Sequence, residues 1–354
     1  MASLPYACSV LGSTDDLKRI PLPDRALPYI GDEEKAWLPG DRPLDECSHV
    51  LYHDRARETN NQPRIDPRAT RLCGEGQLAR YQASEREARY RKAREYGLSP
   101  VITEGDSWFS YELYLNLIDR IDDTHRFALK RLESSGDTVA NMVGASKGAA
   151  PIRALKKVVQ AERPVFLFFS GGGNDIVGSE LRGALLAYDP NLEPEDYLAT
   201  AQWRSMLATI LTSYEILIDE IGPLCPIFAH GYDYFYPSNR PVKIFPGVPG
   251  PGPWVFPEMV RLGINDPKLQ HAIARVMIDQ FNDSVLTPLA VTKAGFFAHV
   301  DLRNTLAGLD DWQNEIHPTR QSFQALAERF LATVSQLLPG VRKARAERLG
   351  GTVA

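Results

Sequence analysis

Past residue 100 the sequence predicts an α/β fold of three layers, with helices on both faces of a doubly wound parallel sheet. Three observations predict it. Short apolar runs without alternation recur at 101–103, 165–169, 227–229 and 296–300, the pattern of strands covered on both faces. Stripes of helical period fill the gaps between them. Strand and helix therefore alternate, which is how parallel strands are joined. A ligand site is expected at the carboxyl ends of such strands.

Taken in order, residues 1–99 form an N-terminal extension of different texture. The first seventy are rich in Pro, Asp and Arg and show no period. A charged helix is expected over 77–96, with Glu85–Arg89 and Glu87–Arg91 as i,i+4 pairs and Gly97 as its stop. Its apolar stripe (Leu78, Tyr81, Ala88) is thin, which suits a solvated brace. The domain proper spans 100–340. Its helices are marked by Leu113, Leu117, Ile118 and Ile121, then by Leu207 to Ile221, by Leu269, Ile273, Val276 and Phe281, and by Phe323, Leu326, Phe330 and Val334. Proline and glycine concentrate in 237–257, which can be neither a regular helix nor a central strand. This is the heart of an aromatic-rich loop at 232–263. Residues 341–354 read as a C-terminal tail.

Composition excludes several function classes. Forty Lys and Arg against forty-five Asp and Glu give a net charge of −5, so binding to nucleic acid by phosphate neutralisation is not expected. No apolar run approaches the ~20 residues of a membrane span. The opening MASLPYACSVLGSTDD lacks a cationic segment, so a cytoplasmic protein without a signal peptide is expected. Cys8, Cys47, Cys73 and Cys225 lie far apart with no CxxC, so neither a zinc site nor a disulfide framework is expected. His49 and His53 have helical metal-pair spacing but no HExxH and no evident third ligand, so they read as surface histidines. No metal or organic cofactor is called for, and the oligomeric state stays open.

Three stretches carry chemistry. Thr103-Glu104-Gly105-Asp106-Ser107-Trp108-Phe109 follows the first strand. A serine at such a strand-to-helix turn projects above the sheet, with the helix N-terminus beside it; Asp106 and Ser107 are equally good helix caps. Ser170-Gly171-Gly172-Gly173-Asn174-Asp175 follows a middle strand, where glycines permit close approach and the Asn amide can donate to a developing negative charge. Neither a dinucleotide fingerprint nor a P-loop fits it, because Ile176 and Ser179 stand where a small residue and a lysine would be needed. Trp312-Gln313-Asn314-Glu315-Ile316-His317-Pro318 precedes the last helix and offers a histidine as base among carboxylates.

Together these stretches, with Ser135-Gly136-Asp137-Thr138 as a further turn, resemble the four blocks of the SGNH (GDSL-like) serine hydrolase family over about 100–338. The resemblance implies a flavodoxin-like three-layer fold and an esterase that needs no cofactor. It implies Ser107 as nucleophile, His317 as general base, and an oxyanion hole of Ser107 N–H, Gly136 N–H and the Asn174 side chain. The chain departs from the family where an Asp is usual three residues before the histidine: Asn314 stands there. Asp311 is the expected substitute acid, with Glu315 and Asp301 behind it, or the site is a Ser–His dyad. Trp108, Tyr234 and Trp254 are the expected substrate contacts. A rival nucleophile is Ser146, in the GxSxG of Gly144 to Gly148, which would need a strong strand over 139–143. The expected reaction is hydrolysis of a carboxylic ester on a small molecule or glycan. An acyltransferase on the same site, and a non-catalytic binding protein that keeps the fold, are the alternatives.

Overall fold

The computed structural model describes residues 75–111, 115–145, 148–245 and 248–350. The expectations for His49, His53, three of the four cysteines and Ser146 lie outside these residues. Five strands make one parallel sheet: β1 (Pro100–Gly105), β2 (Ala128–Arg131), β3 (Phe166–Ser170), β4 (Ile227–His230) and, last in the chain, β7 (Phe297–Val300), in the spatial order β2-β1-β3-β4-β7. The chain thus builds outward from β1 to β2, then crosses back to β3 on the other side. That reversal opens a crevice at the carboxyl ends of β1 and β3.

Both faces are covered. Phe168 and Phe169 are neighbours on β3 and so point to opposite sides. Phe168 meets Phe330 of the last helix, α10 (Arg320–Arg348), with ring centroids 5.0 Å apart. Phe169 meets Tyr214 of α6 (Ala201–Ile221) at 5.4 Å. Helix α2 (Leu117–Asp122) packs with α10, while α3 (Val139–Val143) and α4 (Ala150–Glu162) pack with α6. Every residue of β3 is buried, as expected of a strand read from an apolar run without alternation. Between β4 and β7 lie a small antiparallel pair, β5 (Lys243–Phe245) with β6 (Val248–Pro249), and the helices α7 (Phe256–Arg261), α8 (Pro267–Phe281) and α9 (Thr287–Thr292). A π-helical segment, Asn282–Leu286, joins α8 to α9. The fifth helix in chain order, α5 (Gly173–Ile176), is a single turn.

Helix α1 (Glu75–Glu95) lies against β2. Tyr90, Ala93 and Leu98 are buried with Ala128 of β2, Lys130 reaches Glu87 at 2.6 Å, and Arg89 reaches Asp122 at 3.1 Å. The stripe expected on this helix is corrected at one point: Ala88 is exposed, and the buried face runs through Tyr90 and Ala93 instead. The edge strand β2, absent from the sequence reading, is thereby covered. The last helix continues past residue 340 to Arg348, with Val341 and Arg345 buried and Arg345 donating to the Gly222 and Pro223 carbonyls. No helix among the described residues is long and apolar enough to cross a membrane.

Candidate active site

The turn that carries Ser107 grows directly out of β1. Gly105 has φ +157°, and a side-chain carbon there would stand 2.5 Å from the Ser170 carbonyl oxygen, so β1 and β3 touch too closely for any other residue. Asp106 N–H continues the ladder to the Ser170 carbonyl at 3.1 Å. Its carboxylate then takes the N–H of Trp108, and its own carbonyl takes those of Phe109 and Ser110. Ser107 is thus held in a tight turn above the sheet. The expectation that a helix begins beside it is corrected. The next helix, α2, starts ten residues later, capped by Asn116, so no helix N-terminus sits at Ser107.

His317 comes from the loop between β7 and α10. Trp312 and Pro318 bridge across it, and Gln313 N–H bonds the His317 carbonyl at 2.9 Å. Trp108 Nε1–H donates to the Ile316 carbonyl at 3.1 Å, tying the loop to the Ser107 turn. His317 Nε2 lies 2.8 Å from Ser107 Oγ, and His317 Nδ1 lies 3.0 Å from Asn314 Oδ1.

The amide of Asn314 cannot face the other way. Oδ1 also accepts the backbone N–H groups of Ile316 and His317, at 3.2 and 3.0 Å, and Nδ2 donates to the Tyr111 hydroxyl at 3.3 Å. Only oxygen can take those two donors. His317 Nδ1 is therefore the protonated nitrogen, and Nε2 is a bare acceptor for the Ser107 hydroxyl. Tyr111 also stacks on the imidazole, with centroids 4.2 Å apart. Burial without a partner charge pushes the His317 pKa down to about 3.

The other carboxylates are occupied elsewhere. Asp311, the expected substitute acid, accepts the N–H groups of Ala307 and Gly308 and the Ser322 hydroxyl, which closes its own loop. Glu315 is fully buried and accepts the backbone N–H groups of Trp254, Val255 and Phe256. Asp301 pairs with Arg303 at 2.8 Å. None of the three bonds the imidazole; Asn314 does.

Facing Ser107, the loop after β3 carries Asn174, whose Nδ2 donates to the Asp137 carbonyl at 2.8 Å. Asp137 belongs to the turn after β2, which hangs on β1 through Ser134 N–H and the Gly105 carbonyl at 2.9 Å. Gly136 occupies that turn at φ +79°. Asp175 caps α3 through the Val139 N–H at 3.0 Å, and burial pushes its carboxyl up to about 6. The turns after β1, β2 and β3 are thus bonded to one another. Ser146 lies outside the described residues, but 139–143, which would have to be a strand for it, is the helix α3 ended by Gly144.

Ser107 and Asn174 open onto a small cleft with apolar walls that include Trp108, Val177, Ile278 and Trp312. Trp108 lines it as expected. Tyr234 and Trp254 are outside that lining: the Tyr234 hydroxyl bonds Asp279 at 2.6 Å, and Trp254 stands edge-on to the His317 ring at 5.6 Å. Tyr111 and Tyr232 were missed as site residues, because their contacts join segments far apart in the chain. Among the described residues no cluster of His, Cys, Asp or Glu could hold a metal ion.

No family model matches the chain, and no curated protein matches it. Three solved structures are similar at low identity. A member of the lipolytic protein G-D-S-L family from Veillonella parvula is 14% identical, with a TM-score of 0.38 over 66% of this chain and 96% of that one. A gut microbial diltiazem-metabolizing enzyme is 13% identical, with a TM-score of 0.37 over 67% of this chain and 46% of its own length. A family 3 carbohydrate esterase from Clostridium thermocellum is 13% identical, with a TM-score of 0.30 over 69% of this chain and 99% of that one.

Proposed function

We propose that the chain is a serine hydrolase of the SGNH (GDSL-like) type, cleaving carboxylic esters through an acyl-enzyme. One observation carries the reading: the hydrogen-bonded line Ser107–His317–Asn314, with Asn174 on the loop facing the serine. Ser107 Oγ attacks the ester carbonyl while its proton passes to His317 Nε2. The negative charge on the former carbonyl oxygen is met by Ser107 N–H, Gly136 N–H and the Asn174 amide, which has a second hydrogen beyond the one given to Asp137. Nε2–H then protonates the departing alcohol. A water, deprotonated by the same nitrogen, releases the acyl group and restores the serine.

A neutral amide in the third position changes the energetics in a defined way. In a Ser–His–Asp triad, Asp→Asn costs ~10⁴ in turnover because the amide presents the wrong group and reverses the imidazole tautomer. Here the backbone donors fix Oδ1 toward Nδ1, so the tautomer is already the productive one. What is missing is only the charge that would stabilise imidazolium.

The test is hydrolysis of p-nitrophenyl esters of graded acyl length by the full chain and by Ser107→Ala. Turnover that disappears in the variant supports the reading. Equal rates in both proteins refute it, and product transfer to an added alcohol would shift it to an acyltransferase.

A further inference from the structure

Tyr232 is bound more heavily than a packing residue needs. It follows β4 and sits at φ +65°, a left-handed conformation costly for a bulky residue. Its backbone N–H donates to His230 Nδ1 at 3.2 Å, and the preceding Gly231 carbonyl accepts from Asn282 of the π-helical segment at 2.9 Å. Its ring stands edge-on to both Trp108, at 5.1 Å, and His230, at 5.0 Å. The hydroxyl spends both its functions: it donates to the Asp106 carboxylate and accepts the Gly173 N–H at 2.9 Å.

The two partners are the immediate neighbours of the two groups that chemistry must hold apart at a fixed spacing. Asp106 precedes Ser107, and Gly173 precedes Asn174. Gly173 also has no room for a side chain, since a carbon there would come 2.9 Å from the Tyr232 ring. The Asp106 carboxylate is otherwise engaged by the Ser170 hydroxyl at 2.7 Å and the Trp108 N–H at 3.0 Å, so it cannot turn to follow a displaced partner. Tyr232, Asp106 and Gly173 follow β4, β1 and β3, and one oxygen atom joins all three loops.

Resting on the hydrolase reading, we propose that Tyr232 is a positioning residue whose hydroxyl clamps the oxyanion loop to the nucleophile turn and so sets the reach between Ser107 and Asn174. Its hydroxyl bonds Asp106 and Gly173, neither Ser107 nor Asn174. It acts through Gly173 on the donor that follows.

Tyr232→Phe removes one oxygen and leaves the ring packing in place. We expect kcat on a p-nitrophenyl ester to fall ~10- to 100-fold with KM within about twofold, the pattern of a displaced oxyanion donor. In an Asn174→Ala background the same change should cost under about threefold, because the group being positioned is already gone. Gly173→Ala presses on the same contact from the other side and should show the same kcat loss, which covers the case in which Tyr232→Phe fails to fold. Full kcat in either variant, a loss confined to KM, or multiplicative losses with Asn174→Ala would overturn the proposal. An inert wild-type chain would sink the hydrolase reading instead. Amide exchange at Gly173 then still decides the clamp: at least ~10-fold faster exchange in Tyr232→Phe supports it, and unchanged protection overturns it.

Discussion

At the scale of single residues, the unusual feature is a buried histidine, the proposed base, with no carboxylate bonded to it. His317 is neutral because it is buried, with its pKa pushed down to about 3, and no carboxylate pulls it back up. In the proposed mechanism the neutral imidazole accepts the Ser107 proton, so kcat/KM should stay level as pH falls from 8 to about 5, with its acid limb below the ordinary histidine range. Asn314→Asp places a charge 3.0 Å from Nδ1. An adjacent carboxylate favours imidazolium, so the His317 pKa rises and the acid limb moves up. The variant should be ~10-fold faster than wild type at pH 8 and lose that advantage at pH 5; pH–rate profiles of the two proteins check the crossing. Asn174→Ala, which deletes one proposed oxyanion donor, should lower kcat by ~10²–10³ with little change in KM. The sequence put Asn314 where the hydrolases it resembles carry an acid but could not show its orientation. Two backbone N–H groups set that orientation, and they are visible only once the loop is folded.

At the scale of elements, the aromatic loop at 232–263 is held by a carboxylate from the histidine loop. Glu315 accepts three successive N–H groups at Trp254, Val255 and Phe256, although burial raises its pKa. Glu315→Gln keeps the size but loses one accepting oxygen, leaving at least one buried N–H unpaired at about 1–3 kcal/mol. Urea unfolding should register that loss. Asp311→Asn should leave the pH profile unchanged, because Asp311 closes the 307–311 turn and does not bond the imidazole. Trp254→Ala should lower turnover on all esters alike, since the ring stands against His317 and not in the cleft; a chain-length shift would return Trp254 to the substrate contacts. The density of aromatics marked this loop in the sequence. Which aromatic lines the cleft was not legible, because that depends on contacts with 174–177 and 312–317.

At the scale of the whole molecule, four of the five sheet strands were legible because buried parallel strands are apolar without alternation. The fifth, β2, is not. Lys130 and Arg131 belong to it, and their charges are met by Glu87, Asp119 and Glu133, partners that no local pattern reveals. The same geometry makes α1 part of the sheet's closure. Removing residues 1–98 would expose the β2 edge and strip the partners of Ala128, each large buried side chain being worth about 1.5–3 kcal/mol. A shortened chain starting at Ser99 should melt well below the full chain and aggregate sooner by light scattering. An unchanged melting temperature would show that α1 is only an appendage.

The most direct test of the central claim is intact-protein and peptide mass spectrometry after treatment with a fluorophosphonate. One adduct per chain is expected, on Ser107, absent in Ser107→Ala and strongly slowed in His317→Ala. An adduct on another serine, or none on a folded chain that hydrolyses esters, would contradict it.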